Sequence, residues 1–175
     1  MKSSIILDNK GHVRLRSANY SDIELLREWK NSNKKSFFYQ KDISKIQQID
    51  WFSAYKKRGN DYMFMVEEIV EGEYFPIGCM GFRIQGDSID LYNIIRGRES
   101  RIGASMHEAM YIMLSYIRSI WNLPIKCDVL KDNPAIRWYL KCGFVILVEN
   151  DYLVMTINNE FFDKMNIEIN EKEVL

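Results

Sequence analysis

Hydrophobic and polar positions in the first half of the chain predict one strand, two helices and then three strands. Residues 12–16 alternate as a strand does, and residues 23–29 repeat apolar side chains at helical spacing. A second helical pattern begins at Ser44, a residue type that caps helices. The three strands are residues 62–69, 75–84 and 88–95. Tight turns separate them, which predicts an antiparallel meander.

The second half predicts helices and strands in alternation. A long helix is expected from Ile102, and residues 125–130 read as a short strand. Asn133, between Asp and Pro, is typical of the start of a further helix. Residues 144–157 read as one or two strands. The tail, residues 161–175, has apolar side chains at helical spacing and is a candidate helix that would pack on the domain or on a partner.

These elements predict a single domain over residues 1–175, because no linker or repeat divides the chain. The strand–helix–strand unit over residues 88–130 should be a right-handed parallel crossover. The fold class is therefore α/β with α+β character: a mixed, mostly antiparallel sheet with helices on both faces.

Composition narrows the classes of partner. The chain has 24 Lys plus Arg and 24 Asp plus Glu, so its formal net charge is zero. This balance gives no reason to expect nucleic acid or a membrane as partner. No apolar run approaches the roughly 20 residues that a membrane-spanning helix needs, and the apolar run at residues 5–7 is too short for a signal peptide.

The cysteines are three in number and lack the spacing of metal ligands. Cys79, Cys127 and Cys142 therefore predict free thiols in a cytoplasmic protein with no metal site. Cys142 could be a nucleophile, but no histidine lies near it in the sequence, and core packing is the favoured interpretation.

Two segments contain residues that are candidates for ligand binding or catalysis. Residues 96–105 join a strand to the long helix and combine three arginines with small residues. A helix N-terminus offers unpaired N–H groups and a positive dipole end, which suit a pyrophosphate; a solvated basic turn is the alternative. Residues 135–144 form a short helix that carries Tyr139 and ends at Gly143 before a strand. Taken alone, Tyr139 would be a half-buried helix residue.

Together these segments resemble the GNAT superfamily of acetyl-CoA-dependent N-acetyltransferases. Arg98 and Gly103 match the first and last positions of the family's pyrophosphate loop, although Arg101 stands where a middle glycine is usual. The segment from Ala135 to Phe144 matches the closing motif, in which the tyrosine faces the sulfur of coenzyme A. The resemblance implies a GNAT fold with a splayed pair of parallel strands.

The resemblance also implies which residues bind acetyl-CoA. The strand edge, the loop and the asparagine before the last helix would contribute Asn93, Ile94, Ile95, Arg98, Arg101, Ile102, Gly103, Ala104, Ser105 and Asn133. The strand edge would bind through its backbone, with an N–H near Ile94 as donor to the carbonyl oxygen. Tyr139 would protonate the leaving thiolate.

The acceptor amine must lose a proton, so a general base or a water is required. Asp90 is the preferred base because it lies on the same strand face as Tyr92. His12, Glu67 and Glu68 are the other candidates.

The sequence indicates the residues that would bind the acceptor amine less clearly. The first two helices and their connection would shape it, with Trp29, Asn31 and Tyr92 as candidate substrate-binding residues. The preferred acceptor is a small-molecule amine, most of all an amino sugar. A protein N-terminal acetyltransferase and a non-catalytic acyl-CoA-binding module are the alternatives, and the protein would be a monomer or a homodimer.

Overall fold

The computed structural model describes residues 4–165 and 167–174. Its strands are β1 (Ser4–Asp8), β2 (Val13–Ser17), β3 (Asp61–Val70), β4 (Glu73–Gln85), β5 (Ser88–Arg96), β6 (Ile125–Val129), β7 (Phe144–Glu149), β8 (Leu153–Ile157) and β9 (Asn170–Val174). Its helices are α1 (Ile23–Ser32), α2 (Lys45–Lys57), α3 (Ser105–Ile120), α4 (Ile136–Lys141) and α5 (Asn159–Met165).

All of the described strands belong to one sheet, in the order β7-β8-β6-β5-β4-β3-β2-β1-β9. The pair β5–β6 is parallel, and the other described strand pairs are antiparallel. The predicted mixed, mostly antiparallel sheet is therefore confirmed. The parallel pair follows from the α3 crossover, because parallel neighbours need a long connection.

Helices cover both faces of the sheet. On one face α3 packs over β1, β2 and β3, where Phe64 and Val66 join its apolar side in the larger core. On the other face α1 and α2 pack over Met63 and Met65 in a smaller core. Successive side chains of β3 thus enter two different cores, which is why this strand is apolar without alternation.

The long helix begins three residues later than predicted, at Ser105. Gly103 and Ala104 have left-handed backbone conformations, with φ of 76° and 53°. A left-handed residue cannot continue a right-handed helix, so residues 102–104 belong to the loop.

The tail was only partly predicted. Residues 159–165 are helical, but residues 170–174 form β9, which pairs antiparallel with β1 in the register Ile6↔Lys172. The helix prediction is wrong for this part because the free edge of β1 supplies backbone partners that a local pattern does not reveal. Residues 166 and 175 of the predicted tail helix, like residues 1–3, lie outside the described residues.

Among the described helices, none combines the length and the apolar character needed to cross a membrane. All three cysteines are buried free thiols.

Candidate active site

A seam in the sheet creates the main cavity. β5 and β6 pair only at Ile89↔Ile125 and Asp90↔Lys126, after which the strands diverge. On the opposite side, Leu91, Tyr92, Ile95 and Arg96 keep their pairing with β4. A cavity of about 1000 Å³ fills the gap, bounded by β5, β6, the start of α3, α4 and the segment after α1.

Asn93 forms a bulge in the β5 wall of this cavity. Its φ of 48° is left-handed, and the register with β4 shifts opposite it, between Cys79 and Gly81. The bulge is held from two sides: Lys30 Nζ donates to Asn93 Oδ1 at 2.6 Å, and Cys79 Sγ donates to the Asn93 carbonyl at 3.3 Å. Ile94 therefore lies in the cavity wall, whereas buried Ile95 also packs into the core under α1.

The loop before α3 is built around the buried carboxylate of Glu68. This side chain, fully shielded from solvent, accepts hydrogen bonds from the Ser100 hydroxyl, from Arg101 N–H at 2.9 Å and from the Ser105 hydroxyl at 2.6 Å. Burial by itself would raise the pKa of Glu68, but these three bonds outweigh it and lower the pKa. Glu68 is thus the internal anion around which the loop folds.

The loop residues divide into two groups. Ser100, Ala104 and Ser105 line the cavity. Arg98, Arg101, Ile102 and Gly103 do not, and the Arg101 guanidinium instead lies 3.9 Å above the ring of Phe75.

Tyr139 lies in the opposite wall, on α4. It is only 7% exposed, makes edge contacts with Trp138 and Phe144, and lines the cavity. Burial raises the pKa of its phenol, with smaller contributions from Cys127 and Cys142. Within the described residues its hydroxyl has no hydrogen-bond partner, and the oxygen is not fully buried, so the hydroxyl is open to the cavity.

Asn133 connects the two sides of the cavity. Its Oδ1 accepts from Ala135 N–H at 2.8 Å in the turn that precedes α4, and its Nδ2 donates to the Ser36 carbonyl at 3.2 Å. The start of α4 is therefore tied to the segment after α1.

Two carboxylates face each other across the seam. Asp90 on β5 and Asp128 on β6 both line the cavity. Burial, and then the charge of Asp128, raise the pKa of Asp90 to about 6. A carboxyl group with this pKa can exchange a proton near neutral pH.

The other candidate bases lie elsewhere. Glu67 is buried in ion pairs with Arg14 at 2.7 Å and Arg16 at 2.9 Å. Glu68 holds the loop, and His12 is exposed outside the cavity lining.

Of the three candidate substrate-binding residues, one lines the cavity and two do not. Tyr92 lines the cavity, and its hydroxyl is bound to the buried carboxylate of Asp61. Trp29 is a core residue packed against Gly97, where a side chain would overlap its ring. Asn31 exchanges two hydrogen bonds with the backbone of Ile43. Neither of these two lines the cavity; the aromatic run at residues 37–39 does.

Cys142 has a neighbour that sequence reasoning missed. His107 Nδ1 on α3 lies 3.3 Å from Cys142 Sγ. The helical spacing of α3 could have placed His107 near its start, but not against α4. Burial raises the pKa of Cys142 to about 12, so the thiol stays protonated and is a poor nucleophile at neutral pH.

Comparison with known proteins identifies the fold. Neither a protein-family model nor a curated protein matches the sequence. Among solved structures, FdhC, described as a nucleotide-linked sugar GNAT, is 18% identical with a TM-score of 0.73, over 94% of this chain and 92% of that one. Spermidine N-acetyltransferase from Vibrio cholerae, in complex with CoA and spermine, is 20% identical with a TM-score of 0.65, over 83% and 92%. A domain from Methanocaldococcus jannaschii is 17% identical with a TM-score of 0.72, over 90% and 99%. The chain therefore has the GNAT fold, as predicted.

Proposed function

We propose that this protein is an N-acetyltransferase that moves an acetyl group from acetyl-CoA directly to a primary amine of a small molecule. The observation that carries the proposal is the seam between β5 and β6, with the unpartnered hydroxyl of Tyr139 in the facing wall. We further propose an amino sugar, free or nucleotide-linked, as acceptor, and a cytoplasmic monomer or homodimer as the working form.

The cavity suits the shape of the donor. Beyond Asp90, β5 has no strand on its β6 side, so a pantetheine arm could pair with residues 91–96 as an added strand. The start of α3 opens on the same cavity through Ala104 and Ser105. Arg96 and Arg98 are exposed beside it and would add positive charge for the phosphates.

The chain's own groups fit the steps of acetyl transfer. Acetyl-CoA, when bound, would supply an acetyl group activated as a thioester. Asp90, with its pKa of about 6, would accept the proton of the acceptor ammonium, directly or through water. The backbone N–H near Ile94 would donate to the carbonyl oxygen, and Tyr139 would give its proton to the departing sulfur.

The acceptor preference rests on the other side of the cavity. Phe37, Phe38 and Tyr39 line it and offer faces on which a sugar or nucleobase can stack. FdhC, with the same fold, is described as a nucleotide-linked sugar GNAT. A peptide acceptor would need an open acidic groove for its ammonium group, and residues 67–73 are the acidic segment that could supply one. Glu67 and Glu68 of this segment are, however, buried and bound to other residues.

Two measurements test the proposal. Acetyl-CoA should raise the melting temperature, because a ligand that binds only the native state stabilises it. A library of amines should then be screened by release of coenzyme A, with amino sugars expected to give the fastest turnover. No shift at millimolar acetyl-CoA would refute the proposal, and turnover confined to peptide N-termini would refute the acceptor class.

A further inference from the structure

Lys30 is an amine placed on the acceptor side of the cavity. It extends from the end of α1, lines the cavity, and donates from Nζ to Asn93 Oδ1 at 2.6 Å. The ring of Phe37 covers it, with its centroid 3.1 Å from Nζ. Asn93 directly precedes Ile94, whose N–H is proposed to bind the thioester carbonyl. Lys30 Nζ thus contacts the side chain of the residue that precedes Ile94, and Ile94 is where the thioester carbonyl is expected to bind.

Burial shifts Lys30 toward its neutral form, whereas its contacts with Asn93 and the Phe37 ring favour the charged form. No carboxylate pairs with it among residues 4–165 and 167–174, so its buried charge is poorly compensated. Burial lowers the pKa of Lys30 to about 8. Near that pH a substantial share of the amine is unprotonated, which is the nucleophilic form. Lys34, one turn further along the chain, is instead paired with Asp42 at 2.7 Å.

We propose that Lys30 is itself an acyl acceptor, so that the protein acetylates this side chain when no small-molecule amine occupies the cavity. The inference rests on the proposed function, since acetyl-CoA is the acyl donor. The Lys30 Nζ lone pair forms the new C–N bond to the acetyl carbonyl carbon as the C–S bond breaks. The sulfur keeps the bonding electrons and takes a proton from Tyr139. The nitrogen loses one proton to Asp90 or solvent, and Tyr139 regains a proton from the same source, so that no net proton is gained or lost. The products are ε-acetyl-Lys30 and coenzyme A.

Acetylation of Lys30 would slow the turnover of a small-molecule acceptor. An acetylated Lys30 is neutral and longer, and it would project into the space between Phe37 and Asn93 where an acceptor must approach. We therefore expect the acetylated protein to bind acetyl-CoA normally but to turn over a small-molecule amine more slowly.

Mass spectrometry of the intact protein and its peptides tests the inference. After incubation with acetyl-CoA at pH 8, Lys30 should gain one acetyl group at least about tenfold faster than Lys34, because the bound donor is held beside it. Excess coenzyme A should suppress the reaction at Lys30 and leave slow chemical acetylation of Lys34 unchanged. In the ligand-free protein, the rate of Lys30 acylation by a small reagent should rise with a midpoint near pH 8.

A matched variant and a binding control separate the possible failures. Lys30→Arg keeps the charge and a donor for Asn93 but cannot be acetylated, so the protein should stay unmodified at this position and keep its thermal shift with acetyl-CoA. If acetyl-CoA binds and Lys30 is modified no faster than Lys34, only this inference is overturned. If acetyl-CoA does not bind, the proposed function is overturned as well.

Discussion

The two walls of the cavity differ in how their polar groups are satisfied. In the wall formed by β5 and the start of α3, the side chains of Tyr92, Asn93 and Ser105 all have internal partners. In the α4 wall, the Tyr139 hydroxyl has none among the described residues, although the side chain is buried. Polar groups that are already paired hold a shape, whereas a donor that has no partner and is open to the cavity is available to a ligand. In the proposed reaction, the wall of β5 and α3 would be the template wall, to which Asp90 adds the base, and the α4 wall would be the reactive wall that supplies the acid.

The largest expected effect tests the reactive wall. Tyr139→Phe should lower turnover by about 100-fold or more, because a positioned general acid contributes that much. Acetyl-CoA affinity and melting temperature should change little, since the lost hydroxyl has no partner within the described residues. Steady-state kinetics and calorimetry measure both, and Tyr111→Phe, outside the cavity lining, serves as the control. Unchanged turnover would remove Tyr139 from the mechanism.

The second largest effect is expected at Glu68, which holds the loop before α3 in the template wall. Glu68→Gln should weaken acetyl-CoA binding about tenfold and cost about 1–3 kcal/mol of stability at pH 7, because the charged acceptor of the loop donors is lost. The folded-state pKa of Glu68 is lowered, so its stabilising contribution is present above the ordinary pKa of 4.5 and disappears as the pH falls through the folded-state value. Denaturation of both proteins across this range measures it.

Glu67→Gln is the matched control for that variant. It lies on the same strand but faces Arg14 and Arg16 on the opposite side of the sheet. It should also destabilise the protein while leaving acetyl-CoA affinity intact. Equal losses of affinity in both variants would contradict a specific role of Glu68 in the loop.

Replacing Asp90 at the seam should change stability by a smaller amount than replacing Glu68, and in the opposite direction. Its pKa of about 6 is raised above the ordinary 3.8, so the folded state favours its protonated form, and stability is lost as the pH rises between these values. Asp90→Asn should therefore stabilise the protein by about 1–2 kcal/mol above pH 7 and change nothing below pH 4. Turnover should fall at the same time. Asp87→Asn, in an exposed turn, is the control for both readouts.

The smallest effect concerns the bulge. Asn93→Ala should cost about 1 kcal/mol relative to Asn93→Gly, because an alanine pays for a left-handed φ and a glycine does not. Both variants lose the contact with Lys30, so their difference isolates the backbone. Equal melting temperatures would show that the bulge relaxes when the amide is removed.

Local patterns were sufficient for the elements that bury one continuous face. The apolar spacing of α3, the cap at Ser44 and the turns between β3, β4 and β5 are all readable in short windows. The motif around Tyr139 was readable for the same reason. Two strands at the edge of the sheet were missed. The short strand β1 was not predicted, and β9 is polar and exists because β1 offers an unpaired edge.

Sequence alone determined the fold class and the order of the elements from β2 to β8, because hydrophobic periodicity and caps act over a few residues. The segment that carries Tyr139 was identified by its resemblance to a family motif. The tertiary structure decided which polar groups have partners. Glu68 lies 32 positions from Ser100, and Lys30 lies 63 from Asn93, so no local signal reports these contacts. Burial then shifts the pKa of Lys30 and Asp90. Desolvation depends on what surrounds a side chain, and only the folded chain supplies those surroundings.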